Sequence, residues 1–389
     1  MPEMGNGASS MNILHITTFL QGGAGQAIVE LACAQALSGH KVTVVTSGTG
    51  EQDYGNYPQW IDRLASGGVH LVSVESTFKR DLALNIAAFR QICAAVDCHA
   101  LSVIHTHAAI PSMLALLLRS RADHAIPVLQ TMHGWGIRKD ASQAATDVTL
   151  MNELDRVVTP SEASRRLLER LGIARRLITV VPYGIAASPD TEDDPGIGLL
   201  RQWRSRGLLV LVCVGTVGPR KNQRLLMQAM VHPQVAPTLA CAVVGEGEEV
   251  RALEALVKEA GIEERVCFFG YQPTGARFIN AADWLVLPSN DEGLPLSILE
   301  AYRAGVPVIG SDIPEIAEVI IPEQTGILFQ AGNVDSLAQS LQAAAALPAG
   351  ARLKMGDRAK SLWHEQYRLD RMLDRYAQIY QDLLAPGWF

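Results

Sequence analysis

Short apolar runs alternate with helical stretches along nearly the whole chain, and the alternation is interrupted once. The runs Asn12–Thr18, Lys41–Thr46, Val69–Val74, Leu101–Thr106, Ile126–Thr131, Arg156–Thr159 and Ile178–Val181 read as strands. Helical patterns lie between them over Gln26–Ser38, Asp81–Val96, Pro111–Arg121 and Ser161–Leu171, with Gly22–Gly25 as a turn. Strands that are apolar on both faces, each followed by a helix, require a parallel sheet covered on both sides. Ala186–Gly198, rich in proline, glycine and acids, has no apolar period and reads as a connection. A second series follows: Leu208–Val214, Leu239–Val244, Arg265–Phe269, Trp284–Leu287, Pro307–Gly310 and Gly326–Phe329. The expectation is α/β: two Rossmann-like parallel-sheet domains in tandem, with ligands at the carboxyl ends of the strands and a cleft between facing domains.

The expected boundaries are 1–10 for a disordered or appended extension, 11–185 for the first domain and 186–206 for a linker. The second domain takes 207–366, and 367–389 form a last helix. That helix has Met372, Leu373, Tyr376, Ile379, Tyr380 and Leu383 at helical spacing, so it needs a surface to cover.

Composition narrows the function. No stretch approaches the roughly 18–20 uninterrupted apolar residues of a membrane-spanning helix, and Met1–Ser10 lacks the basic start and apolar core of a signal peptide. The first 185 residues balance 15 basic against 15 acidic side chains, while the remainder carries 18 against 25. A net charge of −7 so placed argues against a nucleic-acid partner. None of the six cysteines forms a CxxC pair or a metal-ligand spacing, so they read as free thiols in a reducing, cytoplasmic setting.

Four motifs carry candidate chemistry. Gly22-Gly23-Ala24-Gly25 lets backbone amides approach a phosphate. Ile28 replaces the third glycine of a dinucleotide fingerprint, and no acid ends strand two, so a nicotinamide cofactor is disfavoured. His105-Thr106-His107 and Thr131-Met132-His133-Gly134 end neighbouring strand runs and read as a polar site. No carboxylate or third histidine completes a coordination set there, so no metal is expected. Gly215-Thr216-Val217-Gly218-Pro219-Arg220-Lys221-Asn222 would set two cations at a helix N-terminus, suited to a pyrophosphate. In the run from Pro288 to Glu300, Glu292 and Glu300 stand eight residues apart. If helical, that is a rise of about 12 Å, too far for a carboxylate pair on one atom but suited to gripping two parts of an elongated ligand.

These segments, with VIHTH, SEASRRLLERLGI and EGLPLSILEAYRAGVPVIGSDIPEIAE, resemble glycosyltransferase family 4, from about Met11 to the C-terminus. The resemblance implies the GT-B fold and retaining transfer from a nucleotide-sugar (UDP- or GDP-sugar), with no cofactor and no metal. It implies donor contacts at Gly22, Gly23, His133, Gly215, Thr216, Arg220, Gly293 and Leu294. It places His107 at the sugar, Lys221 at the leaving pyrophosphate, Glu292 on sugar hydroxyls and Glu300 on the ribose. The catalytic set is His107, Lys221 and Glu292. The first domain would hold the acceptor, and the last helix would pack back on it. The chain departs from the family at Thr216, where most members carry Arg; Arg220 is expected to compensate in part.

The acceptor is open. A lipid-linked or glycan acceptor of the cell envelope is the first expectation, on a protein that is cytoplasmic or peripheral on the inner face of the cytoplasmic membrane. Arg165, Arg166 and Arg170, with Arg175 and Arg176, would meet an anionic surface, as would Lys79, Arg80 and Arg90 beside Leu82, Leu84, Ile86 and Phe89. A small soluble acceptor such as malate is the alternative. A different reaction on a nucleotide-sugar, such as epimerisation, and a non-catalytic sugar-nucleotide-binding protein are the others.

Overall fold

The computed structural model describes residues 10–50, 54–75, 78–136, 139–187 and 197–385. The expected extension 1–10 lies outside these except for Ser10, whose hydroxyl donates to the Gly39 carbonyl. The chain divides into two compact units. Unit 1 comprises 1–160, 165–181 and 373–389; unit 2 comprises 161–164 and 182–372.

The first sheet is built from β1 (Asn12–Ile16), β2 (Lys41–Ser47), β3 (His70–Val74), β4 (Val103–Thr106), β5 (Val128–Thr131), β6 (Arg156–Thr159) and β7 (Ile178–Val180). All are parallel, in the order β3-β2-β1-β4-β5-β6-β7. The helices between them are α1 (Gly22–Leu37), α2 (Pro58–Ser66), α3 (Leu82–Ala95), α4 (Ala109–Arg119), α5 (Ala141–Asn152) and α6 (Glu162–Leu171). Leu14, Ile16, Val45, Ile104, Leu114 and Val157 form the centre of a buried apolar cluster. The strand order reverses between β1 and β4, where the two chains leave in opposite directions and open a crevice at the carboxyl edge.

The second sheet repeats the plan with β8 (Leu209–Val214), β9 (Leu239–Val244), β10 (Val266–Phe268), β11 (Trp284–Leu287), β12 (Val308–Ser311) and β13 (Gly326–Phe329). Its order is β10-β9-β8-β11-β12-β13, again all parallel, reversing between β8 and β11. Its helices are α7 (Gly198–Ser205), α8 (Gln223–Met230), α9 (Val250–Glu259), α10 (Ala276–Asn280), α11 (Leu296–Ala304), α12 (Pro314–Ala317), α13 (Val334–Ala346) and α14 (Ala349–Gln366). The last helix, α15 (Leu369–Leu384), lies from Leu373 onward in unit 1. There Tyr376, Ile379, Tyr380 and Leu383 are buried.

Three sequence readings differ from the structure. Gly22–Gly25 is the first turn of α1 and not a separate loop. Gly22 adopts φ +55°, a left-handed conformation that favours glycine, and a Cβ on Gly25 would come within 2.7 Å of the Leu20 carbonyl carbon. Within the span read as linker, Gly198–Ser205 is the helix α7, because Leu200 and Trp203 bury one face; residues 188–196 lie outside the described ones. Glu292 precedes α11, which starts at Leu296, so the helical rise of about 12 Å does not separate Glu292 from Glu300.

Candidate active site

In unit 2 the chain turns after β8 and after β11 at the switch point, and the two turns are laced together. Asn290 N donates to the Arg220 carbonyl (2.8 Å), and the Asn290 side chain donates to the Pro219 carbonyl (2.8 Å). Gly215, at φ +141°, carries the Lys221 stem directly over it: a Cβ there would lie 3.1 Å from Lys221 Cε. The turns bring Arg220 and Lys221 onto Glu292; Gly215 and Thr216 belong to the first turn and Gly293 and Leu294 to the second.

The centre of this cluster is a carboxylate, not an anion hole. Lys221 Nζ lies 2.5 Å from Glu292 Oε1, Arg220 Nη1 3.3 Å from Oε2, and Ser289 Oγ donates to Oε1 at 2.7 Å. Glu292 is buried, with its side chain 5% exposed. Burial pushes its acidity down, but Lys221 and Arg220 outweigh burial and hold the carboxyl below its usual range. Ser289 escaped the sequence reading, although it stands three residues before Glu292 on the same turn. Thr216 is exposed, and its carbonyl accepts from Gln223 Nε2 at 3.1 Å. The Arg220 guanidinium is the cation that turns toward the Lys221–Glu292 pair. Asn222, at φ +51°, caps α8, so Arg220 and Lys221 stand just ahead of that helix N-terminus.

Glu300 sits one helical turn into α11. Burial raises its carboxyl to about 7, only partly offset by Arg303. A carboxyl group tuned to neutrality accepts hydroxyl hydrogen bonds more strongly in its ionised form than in its protonated one.

In unit 1, β1 and β4 place His15 and His105 in direct register at the switch point. His107 follows β4 and His133 follows β5. His15 Nδ1 lies 3.0 Å from His107 Nε2, and His107 Nδ1 lies 3.0 Å from His133 Nε2. His15 Nε2 meets Gln35 Oε1 at 2.7 Å. Burial lowers His15 and His133 to about 4, and His105 and His107 well below the ordinary histidine range. The third histidine thought missing from the sequence is therefore present: His15, in the NILHITT strand. Nitrogens of His15, His105 and His107 lie within 4.8 Å of one another. The signal was the histidine itself, but its neighbour could be known only from the strand order.

His107 and His133 form one wall of a 630 Å³ cavity in unit 1, which also touches Lys79, Arg80, Trp135, Lys139 and Asp147. Asp147 is buried and takes Arg80 Nη2 at 2.6 Å and Lys139 Nζ at 2.7 Å. Lys139 Nζ also stands 3.7 Å from the Trp135 ring centroid. Three cations against one carboxylate leave the cavity positive. Arg80 was grouped with surface cations in the sequence; it faces this cavity instead, drawn in by Asp147. On α6, Arg165 is spent on Glu169 at 2.6 Å, while Arg166 and Arg170 are exposed. Gly22 and Gly23 open α1 after β1, also in unit 1.

Residues 21–188 match the family model described as glycosyltransferase family 4, and residues 202–362 match that of glycosyl transferases group 1. The N-acetyl-alpha-D-glucosaminyl L-malate synthase of Bacillus anthracis is 27% identical, over 93% of this chain and 94% of that protein. The D-inositol 3-phosphate glycosyltransferase of Xylanimonas cellulosilytica is 28% identical, over 97% of this chain and 98% of that protein. Among solved structures, Anabaena Alr3699/HepE in complex with UDP and glucose superposes with a TM-score of 0.80 at 18% identity, covering 96% of this chain and 100% of that one.

Proposed function

The chain belongs to glycosyltransferase family 4, and on that premise we propose that it moves a sugar from a UDP-sugar to a small anionic acceptor, retaining the anomeric configuration and using no divalent metal. The observation that carries the donor half is the convergence of Lys221 and Arg220 on buried Glu292 at the switch point of unit 2. A departing diphosphate draws the two cations to itself and leaves the Glu292 carboxylate to accept sugar hydroxyls. The positive charge that a metal would bring is already supplied by Lys221, Arg220 and the nearby N-terminus of α8. Gly215 keeps the backbone low beneath Lys221, and Glu300, ionised, accepts from the ribose. His107 shapes the sugar site and does not act as the base, since burial makes its ring a weak proton acceptor. Retention follows from same-face attack, with the developing oxocarbenium paired to the leaving phosphate.

The acceptor half rests on the positive cavity of unit 1, where Arg80 and Lys139 already hold one carboxylate, Asp147. Malate and inositol 3-phosphate, named for the two relatives, are both hydroxylated anions. A lipid-linked acceptor of cell-envelope synthesis is the second reading. It is favoured by α3, whose exposed Leu82, Leu84 and Ile86 lie in the same helix as exposed Arg90. No helix among the described residues is long and apolar enough to cross a membrane. Incubation with hydroxy acids, inositol phosphates or anionic vesicles decides between them. Product formed from a soluble anion, with α-configuration by NMR and a rate unchanged by EDTA, supports the proposal. Turnover only with vesicles selects the second reading, and an inverted linkage or a magnesium requirement defeats the mechanism.

A further inference from the structure

His15, His105, His107 and His133 belong to a longer buried network, and its donors and acceptors can be assigned one by one. Gln35 Oε1 can only accept, so His15 carries its proton on Nε2 (2.7 Å). His15 Nδ1 then accepts from His107 Nε2 (3.0 Å), and His107 Nδ1 accepts from His133 Nε2 (3.0 Å). The other half of the same amide, Gln35 Nε2, donates to the Tyr380 hydroxyl (3.0 Å). Tyr380 must then donate to His105 Nδ1 (2.6 Å), and His105 Nε2 donates to Thr131 Oγ1 (2.8 Å). Thr131 passes its proton to the Tyr376 oxygen (2.8 Å). His15, His105, His107, Gln35, Tyr376 and Tyr380 are all buried.

The network has a second self-consistent state. If the Gln35 amide turns over, every hydrogen bond in both arms reverses and every group is again paired. The amide is the one member that ties the two arms together, and its orientation decides all four tautomers.

We propose that Gln35, held by Tyr380 of α15, is a positioning residue that fixes the tautomers of His107 and His133 at the cavity wall. Both rings then carry their proton on Nε2, and the His107 Nδ1 lone pair is taken up by His133 Nε2–H. Its effect on turnover rests on the transferase reading; its effect on the tautomers does not. The alternative use of the same cluster is a metal site at His15, His105 and His107. Both nitrogens of each of these rings already have a protein partner, which a metal would have to displace.

The test is long-range proton–nitrogen NMR on histidine-labelled protein at about pH 8, where neutral rings dominate, for wild type, Gln35→Met and Gln35→Glu. Wild type is expected to show all four rings protonated on Nε2. Gln35→Met releases the choice, and His15, His107 and His133 become tautomer mixtures. Gln35→Glu offers two acceptors: Tyr380 turns its hydroxyl toward the new carboxylate, and His105 alone moves its proton to Nδ1. With activity in hand, Gln35→Met lowers kcat by about 10–100-fold with KM unchanged, the usual scale for losing an orienting partner, and Gln35→Glu restores it. A His107 signal indifferent to Gln35→Met, a wild-type His107 protonated on Nδ1, or stoichiometric zinc in the purified protein would overturn the proposal. If no sugar transfer is found, the spectra still decide it.

Discussion

Lys221 is placed so that one side chain answers two demands. It neutralises a carboxylate that is 5% exposed, and during turnover it would neutralise a diphosphate. Removing one partner of a buried pair typically costs about 3–5 kcal/mol, and Lys221→Met should fall at the low end because Arg220 still reaches Oε2. Adding Glu292→Gln to Lys221→Met should recover most of that stability without recovering turnover; urea denaturation beside a rate assay separates the two effects. Glu300 gives a sharper signature. Burial raises its carboxyl to about 7, and the ionised form is the stronger acceptor for a ribose hydroxyl. Nucleotide affinity should therefore rise with pH through neutrality. Glu300→Ala should weaken binding by about 1–3 kcal/mol and flatten that pH dependence. Calorimetry showing unchanged affinity in the variant, or a flat profile in wild type, would remove Glu300 from the ribose.

At the scale of the element, α15 joins the end of the chain to the sheet of unit 1. Its apolar spacing was plain in the sequence, as were the strand runs, because period and burial are local properties. The hydroxyl contacts were not legible: Tyr380 meets His105 across 275 positions, and only the strand order brings His15 beside His105. Tyr380→Phe keeps the packing and removes the hydroxyl, leaving Gln35 Nε2 and His105 Nδ1 each without a partner. It should cost about 1–3 kcal/mol, and a thermal midpoint equal to wild type would show that the hydroxyl is idle. The cavity residues were hidden for the same reason. Asp147 and Lys139 belong to and precede α5, a helix the pattern reading passed over although Asp140 and Gln143 form a capping box at its start. In unit 2 the Pro288–Glu300 block was readable as a site, but the ion pair linking Glu292 to Lys221 required knowing that β8 neighbours β11.

For the molecule as a whole, two sheets with the same reversal each concentrate their polar residues at the carboxyl edge of the central strands. Buried neutral histidines in the first carry a consequence for stability. His15 and His133 titrate at about 4, and His105 and His107 lower than their ordinary range, against about 6.5 in the unfolded chain. Between those values the unfolded state binds more protons, so stability is full above about pH 6.5 and falls on acidification, by about 1.4 kcal/mol per pH unit for each such ring. A urea midpoint that is level between about pH 7 and 5 would contradict their neutral burial. The uneven charge, acidic in the second half and balanced in the first, leaves the cavity of unit 1 as the attractive place for an anion. Nucleotide release from a panel of UDP- and GDP-sugars, with and without hydroxylated anions, is the decisive measurement for wild type and Glu292→Gln. The prediction is UDP release from a UDP-sugar that depends on an anionic acceptor and disappears in Glu292→Gln. No acceptor-dependent release from any donor, or equal release by the variant, would contradict it.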